Sequence, residues 1–431
     1  MIQTKNTIPW WQYAYYIALL FVMTTWTSTT SSPPLAMRLL FMGALFIVPI
    51  ITEVSSLPAV VSSFFIVSSY GFSNSYLPSA YYLYCIPIAI GLLIYGKKKV
   101  GDFHVPSIVV FLCIYSLLVN FVTSGVVQNL TYCMFILASF VVFSDTKTEI
   151  DIKTIAVFFT IASLVLSVFY FTSGSEFTRA YDQSSGLERT GWTDSNYFST
   201  TIGFSVLVSI AMLISQKNSI IETILFVTNI IASTIVMVLV ASRGGILSLA
   251  AGVGVLLLFS KLKTKYKILV VALIAAFIVY LFNNDYFALL QYRIEMDETG
   301  GSGRTEIWVT KLTEFFNSSP FVWIFGMGFW NGSYLGGSTT DYMCFHNDYF
   351  AYLVCYGIIG LMALIALLVY PLRNANKKHN IYPMIVSLVI YLAVTSLTLQ
   401  PLCEGYLAYF YYYFFILLLM QHSKTDSLEH E

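Results

Sequence analysis

The chain has 431 residues, of which 57% are hydrophobic, 17% aromatic and only 10% charged. A soluble domain carries roughly 25% charged residues, so this composition excludes an ordinary soluble enzyme, a coiled coil, a disordered chain and a secreted disulfide scaffold. It points to an integral membrane protein with many spans, and because the 22 basic and 22 acidic residues cancel, no global field draws in nucleic acid.

A span needs roughly 20 mostly apolar residues. Runs of that kind sit near 10–26, 37–52, 57–71, 79–95, 104–122, 127–143, 154–173, 195–215, 219–241, 244–260, 266–282, 348–370, 381–400 and 403–420. That predicts fourteen spans, or twelve if the short second and third form one re-entrant pair. The first run has no basic region before it and no small-residue cleavage site, so it reads as a retained span. The stretch 219–260 is too long for one crossing. Ser242-Arg243-Gly244-Gly245 breaks it into two, with Arg243 at the membrane edge.

Lysine and arginine in short loops set orientation. Lys97, Lys98, Lys99, Lys147, Lys153, Lys217, Lys261, Lys263, Lys265, Lys267, Arg373, Lys377 and Lys378 all fall on one side of the alternating spans, with Lys5 and Lys424 in the termini. That side is expected to be cytoplasmic, with both termini on it. The other side holds Arg38, Arg179, Arg189, Arg243, Arg293, Arg304 and Lys311. The basic residues are thus sorted by type, lysine within and arginine without. Lysine is a hydrated point charge, whereas the planar arginine fork suits phosphate or carboxylate. The outer face therefore reads as an anion-binding face, with anchoring at lipid headgroups as the plainer alternative for any single arginine.

Two outer loops are long, one over about 174–194 and one over about 283–347. In the second, Ile307, Trp308, Leu312, Phe315 and Phe316 recur at helical spacing and predict an amphipathic helix on the membrane, entered through Gly300-Gly301-Ser302-Gly303. Its only acidic cluster, Glu295-Met296-Asp297-Glu298, reads as a solvated run, so neither a metal nor a cofactor is expected. His346 is the one histidine on the outer side, and Gly357-Ile358-Ile359-Gly360 below it reads as a small-residue patch for close helix packing. Four cysteines lie in apolar runs; Cys344 and Cys403 fall near the outer face, where they either pair or stay as thiols.

Three stretches together resemble the O-antigen ligase and polymerase superfamily of membrane glycosyltransferases. They are Ser242-Arg243-Gly244-Gly245 at a span junction, Gly301-Ser302-Gly303-Arg304 with Trp308 in the large loop, and His346-Asn347 with nine residues to Gly357-x-x-Gly360. Their order and the loop length agree over roughly 190–370. Asp194-Ser195-Asn196 resembles the family's Asp-Pro-Asn without its proline.

The resemblance implies an all-α, polytopic fold of 12–14 transmembrane helices, GT-C-like, with one large extracytoplasmic loop. Its expected parts are a bundle over 1–282, the loop over 283–347, and spans with a short tail over 348–431. The implied activity is metal-independent, inverting transfer of a glycan from undecaprenyl pyrophosphate to an acceptor sugar hydroxyl, as an O-antigen or capsule polymerase. Ligation to lipid A–core is the alternative, and a polysaccharide transporter or flippase is the alternative of a different class. His346, Arg243 and Arg304 would be catalytic. Arg243, Arg304, Arg293, Arg179, Arg189, Trp308 and Asn347 would hold pyrophosphate and glycan. The partners are the lipid-linked donor, the acceptor, the bilayer and other polysaccharide-assembly membrane proteins. The expected place is the bacterial inner membrane, with the site on the periplasmic face.

Overall fold

A computed structural model describes residues 8–28, 35–53, 56–71, 106–124, 151–173, 178–179, 193–284, 286–288, 291, 304–333, 345–403 and 407–428. The expected spans at 79–95 and 127–143 lie outside these residues. The other twelve appear as helices, eleven within a few residues of their predicted limits and the last displaced from 403–420 to 407–428. They are α1 (Trp10–Ser28), α2 (Leu35–Ile51), α3 (Leu57–Gly71), α4 (Ser107–Ser124), α5 (Ile152–Ser173), α6 (Ser195–Ser215), α7 (Ile220–Leu239), α8 (Arg243–Phe259) and α9 (Thr264–Asn283). After three helices of the large loop, α10 (Arg304–Phe316), α11 (Pro320–Phe325) and α12 (Phe329–Ser333), come α13 (Asp348–Asn374), α14 (Tyr382–Thr398) and α15 (Leu407–Leu428). A two-residue parallel pair, Thr178–Arg179 with Thr193–Asp194, leads directly into α6.

The protein is all-α and polytopic. Five described helices are long and apolar enough to cross a membrane: Ile152–Thr172, Ser195–Ser215, Ile220–Leu239, Thr264–Asn283 and Asp348–Asn374. α8 and α14 have 17 residues each and reach about 25 Å at 1.5 Å per residue. They lie alongside α6 and α13 and so traverse the same layer.

α6 is the hub of the bundle, packed against α5, α7, α8, α14 and α15. Its Phe204 stacks on Tyr412 of α15 at 3.9 Å between ring centroids and meets Tyr391 of α14 edge-on. Between α5, α6 and α7 lies a buried polar network: Asn229 donates to Ser209 and accepts from Ser233, which also meets Ser163 and Ser167. Such bonds hold helices together where no water competes. α9 is peripheral, with Leu281 its only buried residue.

The expected lysine face is brought together at one end of these helices. Lys153 at the start of α5 pairs with Glu222 at 2.6 Å and donates to the Lys217 carbonyl just past α6. Lys261, just past α8, donates to the Lys378 carbonyl and to Asn380 ahead of α14. Glu222, which falls inside the predicted span 219–241, sits in the first turn of α7, where it closes a capping box with Ser219. The starts of α6, α8 and α13 and the end of α14 lie at the opposite end.

Candidate functional site at the arginine end of the bundle

α7 turns into α8 through Ala241, whose φ of 54° is the left-handed conformation a tight reversal needs. Ser242 caps α8 by accepting from the Gly245 N–H, and its hydroxyl donates to Asn196 in the first turn of α6 at 3.1 Å. Arg243 occupies the first helical position after this cap. Its charge there adds to the positive end of the helix dipole, a placement that disfavours the helix by about 0.3–1 kcal/mol and favours an anion. Gly244 and Gly245 are the contact surface. A Cβ on Gly244 would stand 2.7 Å from Thr398 Oγ1, and one on Gly245 would fall within 2.9 Å of the Ser199 Cβ.

The C-terminal end of α14 is where the remaining motifs meet. A helix leaves its last carbonyls without intrahelical partners. Three successive ones are taken by three separate groups: Leu397 O accepts from Asn347 Nδ2 at 3.2 Å, Thr398 O from Arg304 Nη1 at 2.9 Å, and Leu399 O from the Asp348 N–H at 3.0 Å. Arg304 thus lies at the negative end of a helix dipole, where a cation is stabilised. Thr398 links the two arginine segments, holding Arg304 through its carbonyl and meeting Gly244 through its side chain.

His346 is half-buried and has φ 49°, a strained conformation for a residue with a side chain. It is fixed from both sides. Before it, the buried Phe345 offers its carbonyl to Trp308 Nε1 at 2.7 Å, and the indole meets Phe350 edge-on. After it, Asn347 caps α13 by accepting from the Phe350 N–H. Asp348 is wholly buried. Its Oδ2 accepts from Ser396 Oγ at 2.9 Å and Leu402 N at 3.3 Å, and its Oδ1 accepts from Cys403 N at 2.9 Å. Burying a carboxylate costs several kcal/mol unless such donors surround it.

Gly357 does not serve as a flat packing patch. With φ 68° and ψ −169° it breaks α13, and the freed carbonyls are met from outside. Met327 N donates to Val354 O, Gly328 N to Cys355 O, and Tyr115 of α4 donates its hydroxyl to Tyr356 O. Close approach explains the glycines: a Cβ on Gly357 would lie 2.2 Å from Ile324 O, and one on Gly326 2.3 Å from Cys355 O. Asn120 of α4 completes the dock by accepting from the Phe329 N–H. Residues 327–329 of the loop are thereby bolted to α4 and α13. α10 itself forms over the predicted residues and packs on α13, burying Lys311 and Phe315 and exposing Val309 and Phe316. Lys311 pairs with Glu314 at 3.1 Å.

Of the residues with a role expected from the sequence, Arg304, Trp308, His346 and Asn347 gather around the end of α14, and Arg243 stands beside its neighbour Gly244 there. Arg179 is described only in its backbone. Arg189, Arg293, Cys344, Gly300-Gly301-Ser302-Gly303 and Glu295-Met296-Asp297-Glu298 lie outside the described residues. Asn196, Asp348, Ser396 and Thr398 join the site without a role expected from the sequence. Asp348 has a local signal, an acid at the first helical position, but its donors lie some 50 residues away in the chain.

The fold and this end of it define a polytopic helical membrane protein whose polar constellation is collected at one end of the bundle. Residues 228–365, about a third of the chain, match the family model described as O-antigen ligase. That match supports the O-antigen ligase and polymerase superfamily for this segment. No curated protein gives a match.

Proposed function

We propose that the protein transfers a glycan from undecaprenyl pyrophosphate to an acceptor sugar hydroxyl, as a surface-polysaccharide polymerase, at the outer face of the cytoplasmic membrane. The observation that carries this reading is the convergence of Asn347, Arg304 and the start of α13 on three successive carbonyls of α14, with Gly244 packed on the middle residue.

That arrangement supports a direct displacement. The acceptor oxygen forms a bond to the anomeric carbon as the bond from that carbon to the pyrophosphate oxygen breaks. The acceptor proton passes to His346, and undecaprenyl pyrophosphate departs. A displacement of this kind inverts the anomeric centre. Negative charge grows on the departing phosphate, where Arg243 and Arg304 stabilise it; removing such a donor typically costs about 10²–10³ in rate. Arg304, held by Thr398, needs no reorganisation as the charge develops. Trp308 and Asn347 set the loop and helix that carry Arg304 and His346. Arg179, Arg189 and Arg293 are assigned to the glycan and phosphate path, and no metal takes part.

Ligation to lipid A–core is the second reading, and the matched family model is compatible with both. A deletion strain separates the two. One repeat unit left on the core identifies a polymerase; long chains retained on the lipid carrier identify a ligase. Arg243→Lys and Arg304→Lys test the site itself, because lysine keeps the charge but not the fork. Each is expected to lower product at least 10²-fold while the protein still inserts. Polymer of normal length and yield from either variant overturns the phosphate assignment.

A further inference from the structure

We propose that Asp348 is a positioning residue, whose buried carboxylate clamps the turn after α14 to the start of α13 so that His346 and Arg304 share one rigid frame. The role rests on the glycan-transfer reading above.

Asp348 binds that turn at both its ends. The backbone N–H holds Leu399 O, and the carboxylate holds Ser396 Oγ before it and the N–H groups of Leu402 and Cys403 beyond it. The segment so enclosed includes Leu397 and Thr398, the two residues whose carbonyls anchor Asn347 and Arg304. One side chain therefore governs the acceptors of both. His346 lies two residues before it, in a left-handed conformation that persists only while its surroundings over-determine it. Trp308 fixes the carbonyl on its N-terminal side, and Asn347 with Asp348 fixes the first turn of α13 on its C-terminal side. A carboxylate suits the clamp because it only accepts, and these three groups donate to it. An amide in its place would turn an NH2 group toward at least one N–H or O–H.

The test uses purified full-length protein in proteoliposomes, with lipid-linked repeat units extracted from the parent cells as donor. Asp348→Asn is expected to lower kcat at least 20-fold while KM for the donor changes less than 3-fold. Ser396→Ala, which removes one donor and leaves the charge, lowers kcat about 3–10-fold, and Ser396→Thr restores it. In the His346→Ala background, Asp348→Asn is expected to cost several-fold less than it does in the wild type, because the part that acts through His346 is already lost and only the part that acts through Arg304 remains. A role independent of His346 leaves the losses multiplicative, and a purely structural one moves thermal stability while kcat per folded molecule stays that of the wild type. Multiplicative losses, or a wild-type kcat in Asp348→Asn, overturn the clamp. If Asp348→Asn fails to insert, the Ser396 pair decides: wild-type kcat in Ser396→Ala overturns it. Absence of transfer by the wild-type protein overturns the functional reading and the role of Asp348 with it, whereas an active wild type with an unaffected Asp348→Asn sinks only the clamp.

Discussion

Gly244 and Thr398 show how much of the site rests on single atoms. Two helix ends of opposite dipole approach closely because Gly244 has no side chain, and the contact partner is the residue whose carbonyl anchors Arg304. Gly244→Ala places a Cβ within 2.9 Å of the Thr398 Cβ, a clash that no rotamer relieves. Overpacking of this size costs about 1–3 kcal/mol. The expected outcome is a lower melting temperature in detergent, and a loss of glycan transfer larger than that stability change explains. Trp308→Phe keeps the ring but removes the donor to the Phe345 carbonyl, leaving a buried acceptor unmet at a cost of about 1–3 kcal/mol. Thermal unfolding checks the stability, and the rate per folded molecule is expected to fall as His346 loses one of its two constraints. Arg243, Arg304, Trp308 and His346 are legible as residues, because arginine, tryptophan and an isolated histidine are chemically distinctive. Asp348, Ser396 and Thr398 are not. Their importance lies in partners 48 to 94 residues away in the chain, and nothing local marks a threonine whose carbonyl is the functional atom.

At the scale of elements, α10 and α13 differ in how far the chain itself foretells them. The period of Ile307, Trp308, Leu312 and Phe315 predicts α10, which forms over Arg304–Phe316, because an amphipathic repeat is a property of the segment itself. The break in α13 runs against expectation. Gly357-x-x-Gly360 suits close packing of two continuous helices, whereas the structure uses Gly357 to interrupt one helix and seat the Gly326–Gly328 backbone in the gap. That choice depends on a loop supplying the missing donors, which no pattern within α13 reveals. Gly357→Ala is expected to be among the most damaging single changes, since it forces φ 68° on a residue with a Cβ and drives that Cβ to 2.2 Å from Ile324 O. Loss of the folded protein on size-exclusion chromatography is the readout. Tyr115→Phe is the milder test of the same joint. Removing the hydroxyl from Tyr356 O lowers stability by about 1–2 kcal/mol in thermal unfolding, with no change in the lysine end.

At the scale of the whole molecule, basic residues sort by type along the helix axes. Lys153, Lys217, Lys261 and Lys378 meet at one end, and Arg243 and Arg304 stand at the other. If the lysine end is cytoplasmic, a membrane-impermeant maleimide labels Thr305→Cys in intact spheroplasts and Lys265→Cys only after permeabilisation. The opposite pattern reverses the orientation. α8 and α14 run the full distance between these ends in only 17 residues each. At about 25 Å they fall short of a hydrocarbon core of about 30 Å. Where α8 faces lipid, a mismatch of that size would be relieved by local thinning, which would bring the lipid surface down toward the arginine end. Turnover in proteoliposomes is then expected to depend on bilayer thickness, falling with longer acyl chains and rising with shorter ones. A membrane that thickens as its lipids change would then slow the proposed glycan transfer without any ligand binding to the protein.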